Sequence, residues 1–278
     1  RSLLTMLGII IGISSVIIIT TIGGSIQSTL TATMNSLGGN MVQAYVEARY
    51  PENDEDWATW EQPEMTDSDY VTQDMIDGLI EKYPDEVTGV AAQNYLGSGT
   101  IKDDADSKNY ANVNIDGITP EYLEYMKLEM HAGRNLTKAD NQGKKRVCLI
   151  ADTMAERYFA GKDPIGETLS VATSDGGIFD FVVVGVYVYN QALFGKVDTS
   201  IPEKDRVTEL MIPLQTCFKL QGTDRTGYDY FNLMIDPLAD VNQATTDVLS
   251  YFDEMYANNK NFHVSAYNMA SDLGMINT

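Results

Sequence analysis

Histidine and cysteine are nearly missing, with two of each in 278 residues. His131 and His263 lie far apart, and neither is flanked by residues at metal-ligand spacing, so neither points to a metal or to acid–base catalysis. Cys148 and Cys217 sit in the apolar stretches RVCLIA and LQTCFKL. They read as small buried hydrophobes, with a single disulfide between them as the alternative, since two cysteines make no disulfide framework. Basic residues are scarce too: 19 Lys and Arg stand against 40 Asp and Glu, a net charge of −21. A field of that sign repels nucleic acid and anionic lipid headgroups. Several enzyme motifs are absent as well. There is no G-x-x-x-x-G-K-[ST], hence no P-loop for ATP, and no H-E-x-x-H, C-x-x-C or G-x-S-x-G. No catalytic residue, cofactor or metal is expected, and the chain reads as a non-enzyme.

Between Arg1 and Glu47 there is no charge at all, and Leu3 to Ile22 reads LLTMLGIIIGISSVIIITTI. Twenty residues at about 1.5 Å each reach roughly 30 Å, the thickness of a bilayer's hydrocarbon core. This predicts a transmembrane helix with Arg1 on the cytoplasmic side and residues beyond about 25 outside the cell membrane. A cleaved signal peptide, cut near Ser14-Ser15 or Gly23-Gly24, and a buried globular helix are the alternatives. Gly8 and Gly12 form a G-x-x-x-G step at which a second helix could approach closely. Farther on, Ile26, Leu30, Met34 and Leu37 share one helical face, so a stalk is expected up to residue 37, stopped by Gly38-Gly39.

The rest alternates strand and helix signals. Met41–Val46 reads as a strand. From Glu52 to Asp69 there are eight acidic residues and no basic one; without EF-hand spacing this is a solvated loop rather than a calcium site. Thr72 can cap a helix with Met75, Ile76, Leu79, Ile80 and Tyr83 on one face, ended by Pro84. Val87–Leu96 and Tyr110–Ile115 read as strands. Thr119-Pro120-Glu121 starts a helix burying Tyr122, Leu123 and Met126. Strand Val147–Ala151 leads to a helix capped by Asp152 and closed by Gly161. Ile178–Tyr189 is the strongest strand signal, and Met211–Pro213 looks like an edge strand. Last come a strand at Tyr228–Ile235, a helix capped by Asp240 with Val241, Ala244, Val248, Leu249, Phe252, Met255 and Tyr256 on its inner face, and a strand at Phe262–Ala266. The fold class is α+β, with two similar strand–helix–strand units flanking an inserted segment.

Residues 116–187 carry an ordered set of motifs: Gly117–Leu123 (GITPEYL), Gly133–Thr137 (GRNLT), Ala155–Phe159, Asp163–Leu169 (DPIGETL) and Val183–Val186 (VVGV). Their order and spacing resemble the extracytoplasmic domain of MacB/FtsX-type ABC transporter permeases. RSLLTMLGIIIGISSVIII is similar to that family's first membrane helix, and the closing DLGMINT to the segment leading into its second. Read physically, the motif residues are structural. Thr119 and Pro120 start a helix, Gly133 permits a turn beside Arg134, Asp163, Pro164 and Gly166 make a tight turn, and Gly185 lies in a core strand.

The resemblance implies a transmembrane helix and stalk at 1–37, a βαβ-type membrane-proximal subdomain from 38–118 and 222–268, an inserted, mixed β-rich distal subdomain at 119–221, and a lead into a second membrane helix at 269–278. It implies an ABC ATPase partner or fused domain, pairing of permeases as homo- or heterodimers, and coupling of cytoplasmic ATP hydrolysis to movement of a cargo such as a peptide, lipoprotein or drug. A membrane-tethered sensing domain, or an FtsX-like regulator of cell-wall hydrolases that transports nothing, would share the same layout. The acidic segment 52–69 has no counterpart in the family pattern.

Overall fold

The computed structural model describes residues 41–268 other than 52, 54–56, 58, 104–108, 195–199 and 224. The expected membrane helix and stalk, with Gly8 and Gly12, and the expected lead-out at 269–278 lie outside the described residues. No helix among the described residues is long and apolar enough to cross a membrane. Among the described residues, eleven strands and seven α-helices follow in chain order: β1 Met41–Ala48, α1 Gln73–Lys82, β2 Val87–Ala91, β3 Gln93–Lys102, β4 Tyr110–Ile118, α2 Tyr122–Tyr125, β5 Met130–Gly133, α3 Lys138–Gln142, β6 Val147–Ala151, α4 Asp152–Phe159, β7 Thr168–Thr173, β8 Ile178–Tyr187, α5 Gln191–Phe194, β9 Val207–Pro213, α6 Leu214–Leu220, β10 Tyr230–Ile235, α7 Val241–Met255 and β11 Phe262–Tyr267. The class is α+β.

Capping and periodicity place the two longest helices. The Thr72 hydroxyl accepts from the Met75 N–H at 3.2 Å and starts α1, and the Asp240 carboxylate accepts from the N–H groups of Asn242 and Gln243 and starts α7. Ile76 and Leu79 of α1 and Ala244, Val248 and Phe252 of α7 are buried against one face of a four-stranded sheet, whose order is β11-β1-β10-β2. Burial of each large side chain contributes about 1.5–3 kcal/mol. Every neighbouring pair in this sheet is antiparallel. The units β1–α1–β2 and β10–α7–β11 are therefore interleaved, each unit's two strands separated by a strand of the other. This is the split βαβ, or ferredoxin-like, arrangement of the two strand–helix–strand units. On α7, Tyr251 is buried and Met255 is 43% exposed, the reverse of expectation. The helix is turned toward α1, where the Tyr251 hydroxyl donates to the Met75 carbonyl.

The second sheet has the order β5-β8-β6-β9-β4-β3-β7, and β7 also pairs with β8, so its ladder closes on itself. Ile101, Val113, Ile115, Leu149, Phe181, Val183 and Leu210 fill its core. Four readings change here. The expected strand Val87–Leu96 breaks at Ala92, because the chain changes sheets there. β3 and β4, grouped by sequence with the first part at 38–118, pair in this larger sheet instead. β9 is not an edge strand. It runs parallel to β4 over seven residues and touches β6 at Leu149, and Pro213 is tolerated because the strand ends on it. Asp152 lies inside the first turn of α4, with Ala151 at the N-cap; its carboxylate accepts from the Thr153 N–H at 2.7 Å and also from the Tyr189 N–H at 2.9 Å. Both cysteines are free and buried.

Candidate functional site at the junction of the two sheets

The chain passes from the small sheet to the large one at Ala92 and returns through α6 and residues 221–229. Side chains from both sheets meet around these crossings. Thr119, 1% exposed, is the first stitch. Its hydroxyl accepts from the Ala92 N–H and donates to the Val90 carbonyl, both at 3.1 Å, while its own N–H donates to the Ala92 carbonyl at 3.1 Å. One residue just past β4 thus fixes the end of β2 and the step into β3. Sequence placed Thr119 at a helix start; its hydroxyl is spent on the other crossing instead, and α2 shrinks to one turn. Pro120 leaves its carbonyl to the Asn135 amide at 2.9 Å. Valine has threonine's shape without the hydroxyl, so Thr119→Val strands a buried carbonyl and a buried N–H at about 1–3 kcal/mol each. The thermal midpoint should fall by several degrees, and an unchanged midpoint would remove Thr119 from the junction's energetics.

Helix α6 is the second connection, and sequence reading missed it entirely. Only its apolar spacing, Leu214, Cys217 and Phe218, after a proline would have hinted at it. It feeds both cores: Leu214 and Phe218 belong to the small sheet's, Cys217 to the large sheet's. Its first turn is held from outside. The Gln215 N–H, one of the donors a helix start leaves open, donates to the Asn141 amide oxygen at 2.9 Å, and the Thr216 hydroxyl donates to the Lys145 carbonyl at 2.8 Å. Gly117 lies directly beneath: a β-carbon there would overlap Cys217 Cβ and come within 3.3 Å of Leu214 Cα. Past the helix, the Arg225 guanidinium lies between the Tyr70 and Phe218 rings, 4.4 and 4.5 Å from their centroids, and pairs with Asp229. Such stacking favours a cation held between apolar surfaces.

Behind α6, a turn is organised by Asp140, whose side chain is fully buried. Its carboxylate accepts from Arg134 Nη1 at 2.6 Å, Lys145 Nζ at 3.0 Å, and the Thr137 hydroxyl and N–H at 2.7 and 3.0 Å. Burial alone would raise its pKa, but the hydrogen bonds from Arg134, Thr137 and Lys145 outweigh it and hold the carboxyl well below the usual range. Arg134 is steered by its neighbour: Gly133 adopts φ +73°, and the Arg134 N–H donates to the Val184 carbonyl at 2.9 Å. Gly185 leaves room there for the Arg134 carbonyl and Leu149. Gly133, Arg134 and Gly185 are therefore gathered around Asp140, which Lys145 joins to the base of α6, while Gly117 meets α6 directly and Thr119 and Pro120 are held by Val90, Ala92 and Asn135. Asp163, Pro164 and Gly166 stand apart. They form a separate turn in which the Asp163 carboxylate accepts from the Ile165 N–H at 3.0 Å and Gly166 takes φ +89°. The turn is tied to β8 by the Gly166 N–H, which donates to the Val183 carbonyl at 2.8 Å, and to Gly133 by the packing of Ile165. Hydrogen bonds, ion pairs and close packing are the chemistry of this site, that of a latch between two sheets.

The described chain also begins and ends side by side. Gln43 of β1 is in register with Tyr267 of β11, so the paths into and out of this region leave the same end of adjacent strands. Asn268 secures the exit. It is 2% exposed, and its amide donates to the Thr245 hydroxyl at 2.7 Å and the Asn242 oxygen at 3.3 Å. Replacing Asn268 by leucine should cost about 1–3 kcal/mol and speed amide hydrogen exchange at the end of β11. Unaltered exchange there would mean the exit is held by the strand pairing alone.

Comparison with known proteins gives this geometry its context. The sequence profile of the MacB-like periplasmic core domain matches residues 2–251. The macrolide export ATP-binding/permease protein MacB of Neisseria gonorrhoeae is 25% identical over 204 residues, which is 71% of this chain and 28% of that protein. The uncharacterized ABC transporter permease YknZ of Bacillus subtilis is 30% identical over 171 residues, 61% of this chain and 39% of that protein. The chain thus spans well under half the length of these relatives. Among solved structures, the periplasmic region of MacB from Actinobacillus actinomycetemcomitans superposes with a TM-score of 0.55 at 16% identity, covering 88% of this chain and 96% of that one. The extracellular domain of the ABC-type transporter YknZ gives 0.53 at 18% identity, covering 82% and 100%. At these identities the superpositions speak to fold, while the profile match speaks to ancestry: this chain belongs to the MacB-like periplasmic core domain family of ABC transporter permeases.

Proposed function

We propose that this chain is the extracytoplasmic part of a bacterial ABC transporter permease, without catalysis of its own, which couples ATP hydrolysis in a partner or fused ATPase to the movement of a cargo. The observation that carries this reading, beside family membership, is the pairing of β1 with β11. Segments entering before Met41 and leaving after Asn268 attach to neighbouring strands, so a relative shift between them would act on a single strand pair. In this proposal residues 3–22 form the first membrane helix, with Gly8 and Gly12 as its packing face and three further helices beyond Thr278. The small sheet is the membrane-proximal part, the large sheet the distal part, and α6 with Thr119 transmits motion between them. The permease works as a homo- or heterodimer, and peptides, lipoproteins and drugs are the cargo classes. Expression of the full-length gene should recover a complex with an ABC ATPase whose turnover the permease alters, and whose coupling, but not binding, is weakened by Thr119→Val. A full-length protein that assembles with no ATPase would overturn the proposal.

A further inference from the structure

On the small sheet, the face turned away from α1 and α7 carries aromatic rings that remain in water. Tyr45 and Tyr230 stand opposite each other on β1 and β10, alternating with the core residues Ala44 and Phe231. The Tyr45 ring lies 6.1 Å from that of Tyr267 on β11, and Tyr230 is 46% exposed. With Val46, Met65 and Asp229, the three tyrosines line an open trough. Just past β1, Tyr50, Trp57 and Trp60 form a second group, their ring centroids 5.4, 5.6 and 5.7 Å apart. Tyr50 is 55% and Trp57 48% exposed. Burial, then the Glu47 charge, hold the Tyr45 hydroxyl above its ordinary pKa, with smaller contributions from Tyr267 and Tyr50. The two groups are therefore neighbours.

Elsewhere the chain lays its own cations on rings of this kind, Lys82 over Tyr83 and Tyr251 and Arg225 over Tyr70 and Phe218. Among the described residues, no cation covers a ring of either exposed group. The basic side chains close by are spent. Arg49 donates to the Asn259 and Tyr256 carbonyls, Arg225 pairs with Asp229, and His263 faces Glu47 at 3.2 Å. Glu61 and Glu64 adjoin Trp60 and Met65 in the chain, are exposed, and belong to no ion pair among the described residues. We propose that these rings form a docking surface for an extended, arginine-bearing segment of a partner protein, its guanidinium groups lying on the aromatic faces and its charge answered by Glu61 and Glu64. A guanidinium, planar and weakly hydrated, stacks on a ring more readily than an ammonium. Nucleic acid and anionic lipid are turned away by a net charge of −21, and a second copy would bring that same charge. The inference rests on neither transport nor an ATPase.

The test is calorimetric titration of the full-length protein in detergent with an end-blocked peptide of alternating glycine and arginine, and with its lysine counterpart. Saturable binding is expected, the arginine peptide being tighter by about threefold or more. Trp57→Ala and Tyr230→Ala should each weaken the arginine peptide by about three- to tenfold and erase most of its advantage over lysine. Both side chains are half exposed and lie outside the small sheet's core, so thermal midpoints without peptide should stay close to wild type. Tyr95→Ala removes a tyrosine of the large sheet that is 54% exposed, and it should leave binding unchanged. A peptide drawn only by the chain's overall charge would behave differently: arginine and lysine forms would bind alike, and the aromatic substitutions would not matter. Either of those results, a loss with Tyr95→Ala as large as with Trp57→Ala, or no saturable binding up to about 1 mM would overturn the proposal.

Discussion

Alanine or valine at position 117 is expected to destabilise this chain strongly. Gly117 sits in β4 with no unusual backbone angle to protect; what it supplies is space. Any β-carbon there would overlap Cys217 Cβ, with Cys217 Sγ at 3.0 Å and Leu214 Cα at 3.3 Å. The obstructing atoms belong to a helix anchored at both ends, by Asn141 and Lys145 at its start and by the Asn94–Gln221 pair after its last turn. It cannot move away cheaply. Overpacking of this kind costs about 1–3 kcal/mol, and more where backbone must shift. Gly117→Ala should sit at the upper end and Gly117→Val beyond it, lowering the midpoint by about 6–12 °C for a domain of this size. Gly166→Ala makes a useful contrast. That position has open space but φ +89°, so only the left-handed backbone penalty of about 1–2 kcal/mol applies. The cause can be isolated by combining Gly117→Ala with Cys217→Gly, which removes the atom in the way. The pair should be more stable than the sum of its parts by about 0.5–3 kcal/mol. Strict additivity would mean the helix is not what Gly117 accommodates.

What was legible in the sequence, and what was not, follows from how local each signal is. Thr72 with its apolar face, Asp240 with Val248 and Phe252, and the run Ile178–Tyr187 each announce themselves within a dozen residues, and each element forms where expected. The motif glycines were legible as constraints on backbone and packing. Their partners were not, because Gly117 answers to Cys217 a hundred residues away and Thr119 to Val90 and Ala92 across a change of sheet. The break at Ala92 was hidden because both sides of it are strand; nothing local marks a strand that changes sheets. β9 was underestimated because its first residues, Val207-Thr208-Glu209, have no clean alternation, and its partner β4 is parallel and far away in sequence. Helix α6 was invisible for another reason. Seven residues are too few to form a helix on propensity alone; its start is held by Asn141 and Lys145, which no local pattern connects to Gln215 and Thr216. The latch is made of non-local pairings, and so the site was harder to read than the elements that carry it.

Asp140→Asn tests whether the latch has an electrostatic centre, and it should also change how stability depends on pH. In the wild type one carboxylate oxygen accepts from Arg134, from the Thr137 hydroxyl and from the Thr137 N–H, and the other from Lys145. Asparagine keeps one acceptor and turns an amide donor toward a donor, with little change in volume. Hydrogen bonds to charged groups contribute about 1.5–3 kcal/mol, and Arg134 and Lys145 are half exposed and can return to water. A net loss of about 2–3 kcal/mol at neutral pH is therefore expected. The pH dependence has a definite sign. Asp140 has a lower pKa folded than unfolded, so its contribution is complete above the ordinary value near 4 and drains away as pH falls toward the folded value, by about 1.4 kcal/mol per pH unit. Asp116 works in the opposite direction: it is 5% exposed, burial pushes its carboxyl up against a weaker opposing hydrogen bond from Gln93, and its protonation favours the folded chain. Acidification from neutral should first relieve Asp116 and only later, below about pH 4, undo Asp140. Denaturant midpoints measured from pH 7 down to pH 3 in wild type and Asp140→Asn should therefore differ by a constant amount above pH 5 and converge below pH 4. Parallel curves across the whole range would mean that the carboxylate's charge does not hold the turn, and that the base of α6 rests on packing and on Thr137's hydrogen bonds alone.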